Sequence, residues 1–226
     1  MIKQIKNFLR KIKNILIKKI TKLKIFFSEK PVSEYFGFDR GVPIDRYYID
    51  SFIKKNSKYI KNKKVLEIGD DRYSSKFDCK NTVIGIVRGK KIKYVNLEKK
   101  IKKIGTFDCI ICTQVLNYTF DIRSVICNLK TLLKKNGILL LTCSSTTRIS
   151  NYDKIRYGDY WRFTNQSITK LMIKYFKRKN IQVRSHGNVS VCSKFLYGLS
   201  FDELNINLLN YNDKNYPLII TCKIKK

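Results

Sequence analysis

Acidic residues are scarce in this sequence: 17 Asp+Glu stand against 48 Lys+Arg, a formal net charge of +31 over 226 residues. A field of that sign favours polyanions, meaning nucleic acid, anionic lipid headgroups or phosphorylated substrates. The chain is also poor in Pro and Trp and rich in Lys, Ile, Asn, Tyr and Phe. An AT-rich coding sequence produces that bias unaided, so charge alone does not establish a nucleic-acid partner. Histidine occurs once, at His186. Long uncharged apolar runs are missing, which excludes a bilayer-spanning helix. The basic N-terminus has lysines throughout its apolar residues, so no signal-peptide apolar core is expected there. The phosphate loop G-x-x-x-x-G-K-[ST] is absent, which excludes a P-loop nucleotide site.

Seven cysteines are present and scattered. The one close pair, Cys109-Ile110-Ile111-Cys112, lies in "FDCIICTQVL", which reads as a buried strand. Side chains alternate faces along a strand, so these two thiols point apart and cannot grip one metal ion. Buried free thiols and no metal are the expectation, as suits a reducing cytosol.

With 43% hydrophobic residues the chain is long enough and apolar enough for one domain with a sizeable core. Residues 1–27 differ in character. Ile2, Ile5, Leu9, Ile12, Leu16, Ile20 and Leu23 recur every three or four positions among lysines, which predicts a basic amphipathic helix. It can lie on an anionic membrane surface or pack on its own domain or a partner. Residues 28–63 read as a Gly- and Pro-punctuated linker and a lid helix, begun by Asp45 and running to about Ile60. Residues 64–226 alternate strands and helices. Strands are expected at "KKVLEIG", "NTVIGIV", "IKYVNL", "FDCIICTQVL", "ILLLTC", "IQVRSH" and "LIITCKI". Asp121 predicts a helix stopped by Asn136-Gly137, and Thr164 predicts another; a helical stretch is expected near "SKFLYGLSFDEL". The pattern implies an α/β fold, a mostly parallel sheet with helices on both faces. Ligands of such sheets sit beyond the C-terminal strand ends.

The stretch "VLEIGDDRYSSKF" places a glycine turn after the first strand, but without the G-x-G-x-x-G of a nicotinamide or flavin site. The next strand ends in "IVRGKK", basic where such a site wants an acid. Asp70 and Asp71 would repel a pyrophosphate. They suit S-adenosylmethionine, which carries an ammonium and a sulfonium and no phosphate. Glu67-Ile68-Gly69 supplies the acid two residues before a glycine that such a site commonly has.

Several separated blocks carry a resemblance. "VLEIGDD", "FDCIICTQVLNYTFD", "NLKTLLKKNGILLLT" and "YGDYWRFTNQSITKLM" occur in the order found in class I S-adenosylmethionine-dependent methyltransferases. The last block and "RGVPIDRYYI" resemble a small branch often associated with glycosyltransferases of surface polysaccharides. The resemblance covers roughly residues 31–226. It implies a Rossmann-like sheet with an antiparallel C-terminal strand. It also implies a methyl transfer to a small or glycan-type acceptor, possible in surface polysaccharide synthesis, in a cytoplasmic protein or one peripheral to the inner membrane surface. Glu67, Gly69, Asp70 and Asp71 would line the methionine part of the cofactor, Asn96 would lie beside the adenine, and Thr113 and Gln114 would face the sulfur. The family's ribose-binding acid has no counterpart, since Arg88 stands there.

Transfer from a sulfonium mainly requires an aligned acceptor, and a general base helps when the acceptor is a hydroxyl. Asp159 and His186 are the candidates for that base, each with a structural role as the alternative. Tyr160, Trp161 and Arg162 offer stacking and an anion contact, and Arg40 with Asp45-Arg46-Tyr47 offers a lid over the cofactor, with Arg40 and Tyr47 counted among the substrate-binding candidates. Trp161 and Phe163 can equally pin the chain before the Thr164 cap, and Arg40 can brace the linker. Two rival functions remain at this level. One is an RNA methyltransferase, which the charge suits although no RNA-binding module is present. The other is a non-catalytic scaffold that keeps the fold and docks on membrane or a partner.

Overall fold

The computed structural model describes residues 28–85, 93–101 and 104–226, together with residues 5, 6, 9, 10, 12, 13, 16 and 20 of the N-terminal stretch. Arg88, Ile2 and Leu23 lie outside the described residues.

Seven strands form one sheet in the order β3-β2-β1-β4-β5-β7-β6. They are β1 (Lys64–Ile68), β2 (Lys80–Gly85), β3 (Lys93–Tyr94), β4 (Phe107–Thr113), β5 (Leu133–Ser144), β6 (Ile181–His186) and β7 (Ile219–Lys225). The pairs β1–β2, β1–β4, β2–β3 and β4–β5 are parallel, whereas β7 runs antiparallel to both β5 and β6. The helices are α1 (Ile44–Lys55), α2 (Ile122–Leu132), α3 (Asn151–Tyr157), α4 (Asn165–Ile173), α5 (Val189–Leu196) and α6 (Ile206–Asn210).

The two-residue period of the strands sorts the core into two layers. Ile110 and Cys112 of β4 and Leu139, Leu141 and Cys143 of β5 join one cluster, with Val125, Ile126 and Leu129 of α2 and Ile168 and Met172 of α4. Cys109 and Ile111, with Ile138 and Leu140, face the other way onto Ile44, Tyr48, Ile49 and Ile53 of α1 and Val191 and Phe195 of α5. The C-x-x-C thiols therefore lie on opposite faces, and all seven cysteines are free. Each fully buried aliphatic side chain of these layers contributes about 1.5–3 kcal/mol.

Helix starts follow the caps. The Asp121 carboxylate accepts from the Ser124 N–H, and Thr164 and Ser167 form a reciprocal capping box. Several boundaries differ from the sequence expectation, among them β3, which spans only Lys93–Tyr94, and β5, which begins already at Leu133. Helix α1 starts after Pro43 with no side-chain cap, Asp45 sits in its first turn, and it ends at Lys55 before a separate short turn over Ser57–Tyr59. Helix α2 stops at Leu132, not at Asn136-Gly137, because Leu133 already pairs with Phe107 of β4. The left-handed residue of that connection is Asn136, with φ 64°. Helices α3 and α6 are additions, capped by Ser150 and Asn205.

The described residues of the N-terminal stretch are helical, and the apolar ones are exposed: Ile5 52%, Leu9 58%, Ile12 39%, Leu16 53% and Ile20 55%.

Candidate active site

Strands β1 and β4 are neighbours at the point where the strand order reverses, so Gly69 and Thr113 end side by side on the C-terminal edge of the sheet. A crevice at that position is where open α/β sheets bind ligands. Gly69 has φ +112°, and a Cβ built on it would meet nothing within 4 Å. The backbone is thus bare on the side facing out of β1.

The loop that follows lacks the later glycines of a nucleotide turn. A carboxylate holds it instead. Glu67 is 1% exposed, and its two oxygens accept the N–H groups of Tyr73 at 3.0 Å and Ser74 at 2.6 Å. Burial pushes the Glu67 carboxyl up, and these hydrogen bonds offset only part of that rise. The short turn at Ser74–Lys76 is therefore anchored from inside the sheet, and backbone glycines are not needed to fold it. Asp70 accepts from the Arg72 N–H at 3.2 Å and lies 3.7 Å from its guanidinium, with both side chains exposed. Asp71 is exposed as well.

Helix α1 brings further charge to this mouth. Arg46 donates to the phenol oxygen of Tyr73 at 3.3 Å, and Tyr73 itself is 2% exposed. The Asp45 side chain is 14% exposed, one of its oxygens has no hydrogen-bond partner, and the Arg46 Nε stands 4.0 Å from the other. Burial raises the Asp45 carboxyl, and Arg46 and Arg72 oppose that rise. For Arg46, burial disfavours the charge, but Asp45, Tyr73 and Asp70 more than offset it, so the guanidinium stays charged.

On the β4 side, Gln114 is held in the left-handed region at φ 57°. Its N–H donates to the Thr142 carbonyl at 2.9 Å, and its side-chain oxygen accepts from the Ser144 hydroxyl at 2.6 Å. Its buried amide nitrogen has no partner, nor has the Thr142 hydroxyl beside it. A strained backbone holding an unused buried donor is an arrangement that folding alone does not require. Asn117, 1% exposed, ties the neighbouring pieces together: its amide donates to the Trp161 carbonyl at 2.7 Å and its oxygen accepts from the Ser144 N–H at 3.2 Å. Its role depends on contacts with Trp161 and Ser144, distant in sequence. The signal in the sequence is a lone amide inside the apolar run "VLNY".

The other candidates lie at three places. Asn96, just beyond β3, caps its own turn by accepting the Glu98 N–H at 2.9 Å, and Glu98 accepts the Phe120 N–H at 2.7 Å. Asp159 and Arg162 form a two-pronged ion pair at 2.5 and 3.0 Å. Arg162 also donates to the carbonyls of Thr147, Arg148 and Trp161, and Asp159 accepts the Ser150 N–H. That network braces the segment after β5. Trp161 donates its indole N–H to the Thr119 carbonyl at 3.0 Å and packs on the core, while Tyr160 remains 49% exposed, edge-on to Phe120.

Arg40 forms a two-pronged pair with Glu203, and Tyr47 donates to Asn210 at 2.7 Å. His186 ends β6, stacked on Tyr48 with its Nε2 2.9 Å from the Thr221 hydroxyl. Strand β6 lies four places from β1, about 19 Å at ordinary strand spacing. The structure thus gathers Glu67, Gly69, Asp70, Asp71, Thr113 and Gln114 at one strand switch, with Asp45 and Arg46 over it. Asp159, Tyr160, Trp161 and Arg162 stand at its rim, joined through Asn117. Tyr47 and His186 line a cavity beside β6 and β7, with β6 four places from β1, and Arg40 is held by Glu203. Among the described residues no group of three or more His, Cys, Asp or Glu side chains could hold a metal ion, and no helix is long and apolar enough to cross a membrane.

Strand order and a single antiparallel strand define the Rossmann-like fold of class I methyltransferases. Solved structures share it. The N-methyltransferase NodS of Bradyrhizobium japonicum, crystallised with S-adenosyl-L-homocysteine, superposes with a TM-score of 0.54 at 14% identity, over 83% of this chain and 89% of that one. A SAM-dependent methyltransferase of Archaeoglobus fulgidus gives 0.51 at 12% identity, over 86% and 100%. An S-adenosylmethionine-dependent methyltransferase of Clostridium acetobutylicum gives 0.51 at 11%, over 83% and 94%. No family profile and no curated protein matches the sequence.

Proposed function

We propose that this protein is an S-adenosylmethionine-dependent methyltransferase acting on a small or glycan-type acceptor. The observation that carries the reading is the bare, positive-φ Gly69 at the strand switch, with nothing within 4 Å of its missing side chain. The surrounding groups fit a ligand that is cationic at its sulfur and zwitterionic at its amino-acid end. Asp70 and Asp71 offer anionic charge to an ammonium, and Arg46 offers a guanidinium to a carboxylate. The unpartnered Gln114 amide supplies a hydrogen-bond donor, and Asn96, just beyond β3, would meet the adenine edge in this reading. When bound, the cofactor supplies a methyl group on a positively charged sulfur, already activated for in-line displacement.

The protein's part is then to hold the acceptor and exclude water. The rim aromatics Phe120 and Tyr160, 64% and 49% exposed, suit the apolar face of a sugar ring. Asp159 is engaged with Arg162 and Ser150, so its role in this reading is to position that rim. The polysaccharide context rests on the resemblance of the "YGDYWRFTNQSITKLM" block. Isothermal calorimetry with S-adenosylmethionine tests the donor half of the proposal. Mass spectrometry of nucleotide-sugar and oligosaccharide mixtures incubated with the donor tests the acceptor half, with gain of a methyl group as the expected product. Transfer to RNA instead would replace the acceptor class, and absence of donor binding would favour the scaffold reading.

A specific observation favours peripheral membrane contact as well. Ile5, Leu9, Ile12, Leu16 and Ile20 are helical and 39–58% exposed, and no Asp or Glu occurs before Glu29. Apolar area and lysine charge act together on an anionic surface. Pelleting with phosphatidylglycerol vesicles should recover the full chain and not a form lacking residues 1–27; equal recovery of both would rule the contact out.

A further inference from the structure

A second cavity, about 350 Å³, lies between α1 and the outer strands β6 and β7. The register explains its floor. Gln182 of β6 pairs with Lys223 of β7, and Arg184 with Thr221, so these side chains share one face of the sheet. His186 follows at the end of β6. The wall is α1, with Tyr47, Tyr48, Ser51, Phe52 and Lys55, and the far end is closed by Asn210 and Asn212.

Three cations from three different elements, Lys55, Arg184 and Lys223, thus line one concavity. Among the described residues, no Asp or Glu lines it. None of the three forms an ion pair among the described residues, where every guanidinium and ammonium in such a pair belongs to another site. A high net charge leaves many lysines unpaired on a surface. It does not by itself bring three of them into one hollow with donors already arranged. Asn212 spends its side-chain oxygen on the Gly187 N–H at 2.9 Å, which leaves its amide group as a donor at the end of the cavity. Tyr48 and Phe52 supply an apolar wall, and Lys223 sits 5.4 Å from the Tyr59 ring. A small, concave, partly apolar pocket with a few convergent polar groups is the usual form of a small-molecule site.

We propose that this cavity is a second ligand site, separate from the methyl-transfer crevice, that takes a phosphate-bearing small molecule. A phosphate ester carries about −1.5 to −2 charges and three acceptor oxygens, which matches converging lysines and a forked guanidinium better than a single carboxylate does. The volume admits a phosphorylated sugar or similar metabolite and not a polymer. The floor strands β7 and β6 stand three and four places from β1, about 14 and 19 Å at ordinary strand spacing, so the floor of this cavity is not the crevice at Gly69.

The protein carries its own probe of this site. His186 is the single histidine, so its imidazole gives one resonance. Burial, with Lys55 and Arg184 adding to it, lowers its pKa to about 4. A bound anion favours the imidazolium, so the midpoint must rise.

The experiment is NMR of the full chain labelled at histidine, titrated with inorganic phosphate and, separately, with sodium chloride at matched ionic strength. The expected result is a saturable shift with phosphate alone, a midpoint raised by about one unit, and at least about tenfold weaker binding in the Lys55→Gln/Arg184→Gln variant. Both side chains are exposed, so the variant should keep its fold; Lys223→Gln provides an independent change with the same expectation. Identical responses to phosphate and chloride, or unchanged affinity in both variants, would overturn the proposal. A response to phosphatidic acid vesicles without one to free phosphate would overturn the small-molecule assignment.

Discussion

At the residue scale, the β1 loop depends on a side chain where nucleotide-binding turns depend on glycines. The acid at position 67 was legible from its place two before Gly69. Its partners were not, because the Tyr73 and Ser74 N–H groups reach it only after the chain reverses. Replacing Glu67 by Gln keeps one acceptor and puts a donor in front of the other N–H. The expected cost is about 1–3 kcal/mol in urea unfolding, together with weaker donor binding; stability within error of the wild type would mean the carboxylate does not hold the loop. Gly158 makes a second prediction. It sits at φ +84°, and a Cβ there would lie 2.2 Å from the Tyr160 ring. Gly158→Ala should therefore move Tyr160 and cost about 1–3 kcal/mol through backbone strain and clash. The near-ultraviolet dichroism of the rim aromatics would report the movement. Opposite facing of Cys109 and Cys112 was readable beforehand, since strand alternation needs no tertiary information.

At the scale of elements, caps with strong local chemistry were legible and boundaries set by pairing were not. Asp121 and Thr164 begin their helices as their side chains dictate. The Asn136-Gly137 signal lost to a tertiary fact, the pairing of Leu133 with Phe107. Helices α3 and α6 are too short to show a periodicity. The linker before α1 is tied to the segment after α5 by Arg40 and Glu203, a pair separated by 163 residues that no local pattern reveals. Burial works against the Glu203 charge, but Arg40 and the Ser200 N–H more than compensate, and its pKa falls below the ordinary 4.5. A lowered carboxyl stabilises the fold above the unfolded value and loses that contribution as pH falls through the folded one. Glu203→Gln should accordingly be less stable than the wild type at neutral pH by about 1–2 kcal/mol, a partly exposed charge-assisted pair. The gap should narrow progressively as pH falls below about 4.5, through the lowered folded value. Thermal unfolding at pH 7 and pH 3.5 checks both parts, and a gap independent of pH would show that the ion pair is not its source.

For the whole molecule, alternating strand and helix patterns together with the ordered blocks were enough to give the sheet and its antiparallel last strand. The strand switch was legible too, since Gly69 and Thr113–Gln114 each end a recognisable strand. The charge of the β6–β7 groove was not, because Lys55, Arg184 and Lys223 come from distant parts of the chain and meet only through sheet register. His186 shows the same limit: sequence position made it the one candidate imidazole, and topology places it four strands from β1. The central claim concerns the crevice over Gly69. Its most direct test is isothermal calorimetry of the full chain with S-adenosylhomocysteine, the demethylated form of the proposed donor. The account predicts saturable binding near one ligand per chain, weakened about tenfold or more by Gly69→Val, whose side chain would fill the open space. A folded protein that takes up no ligand at millimolar concentration would contradict it.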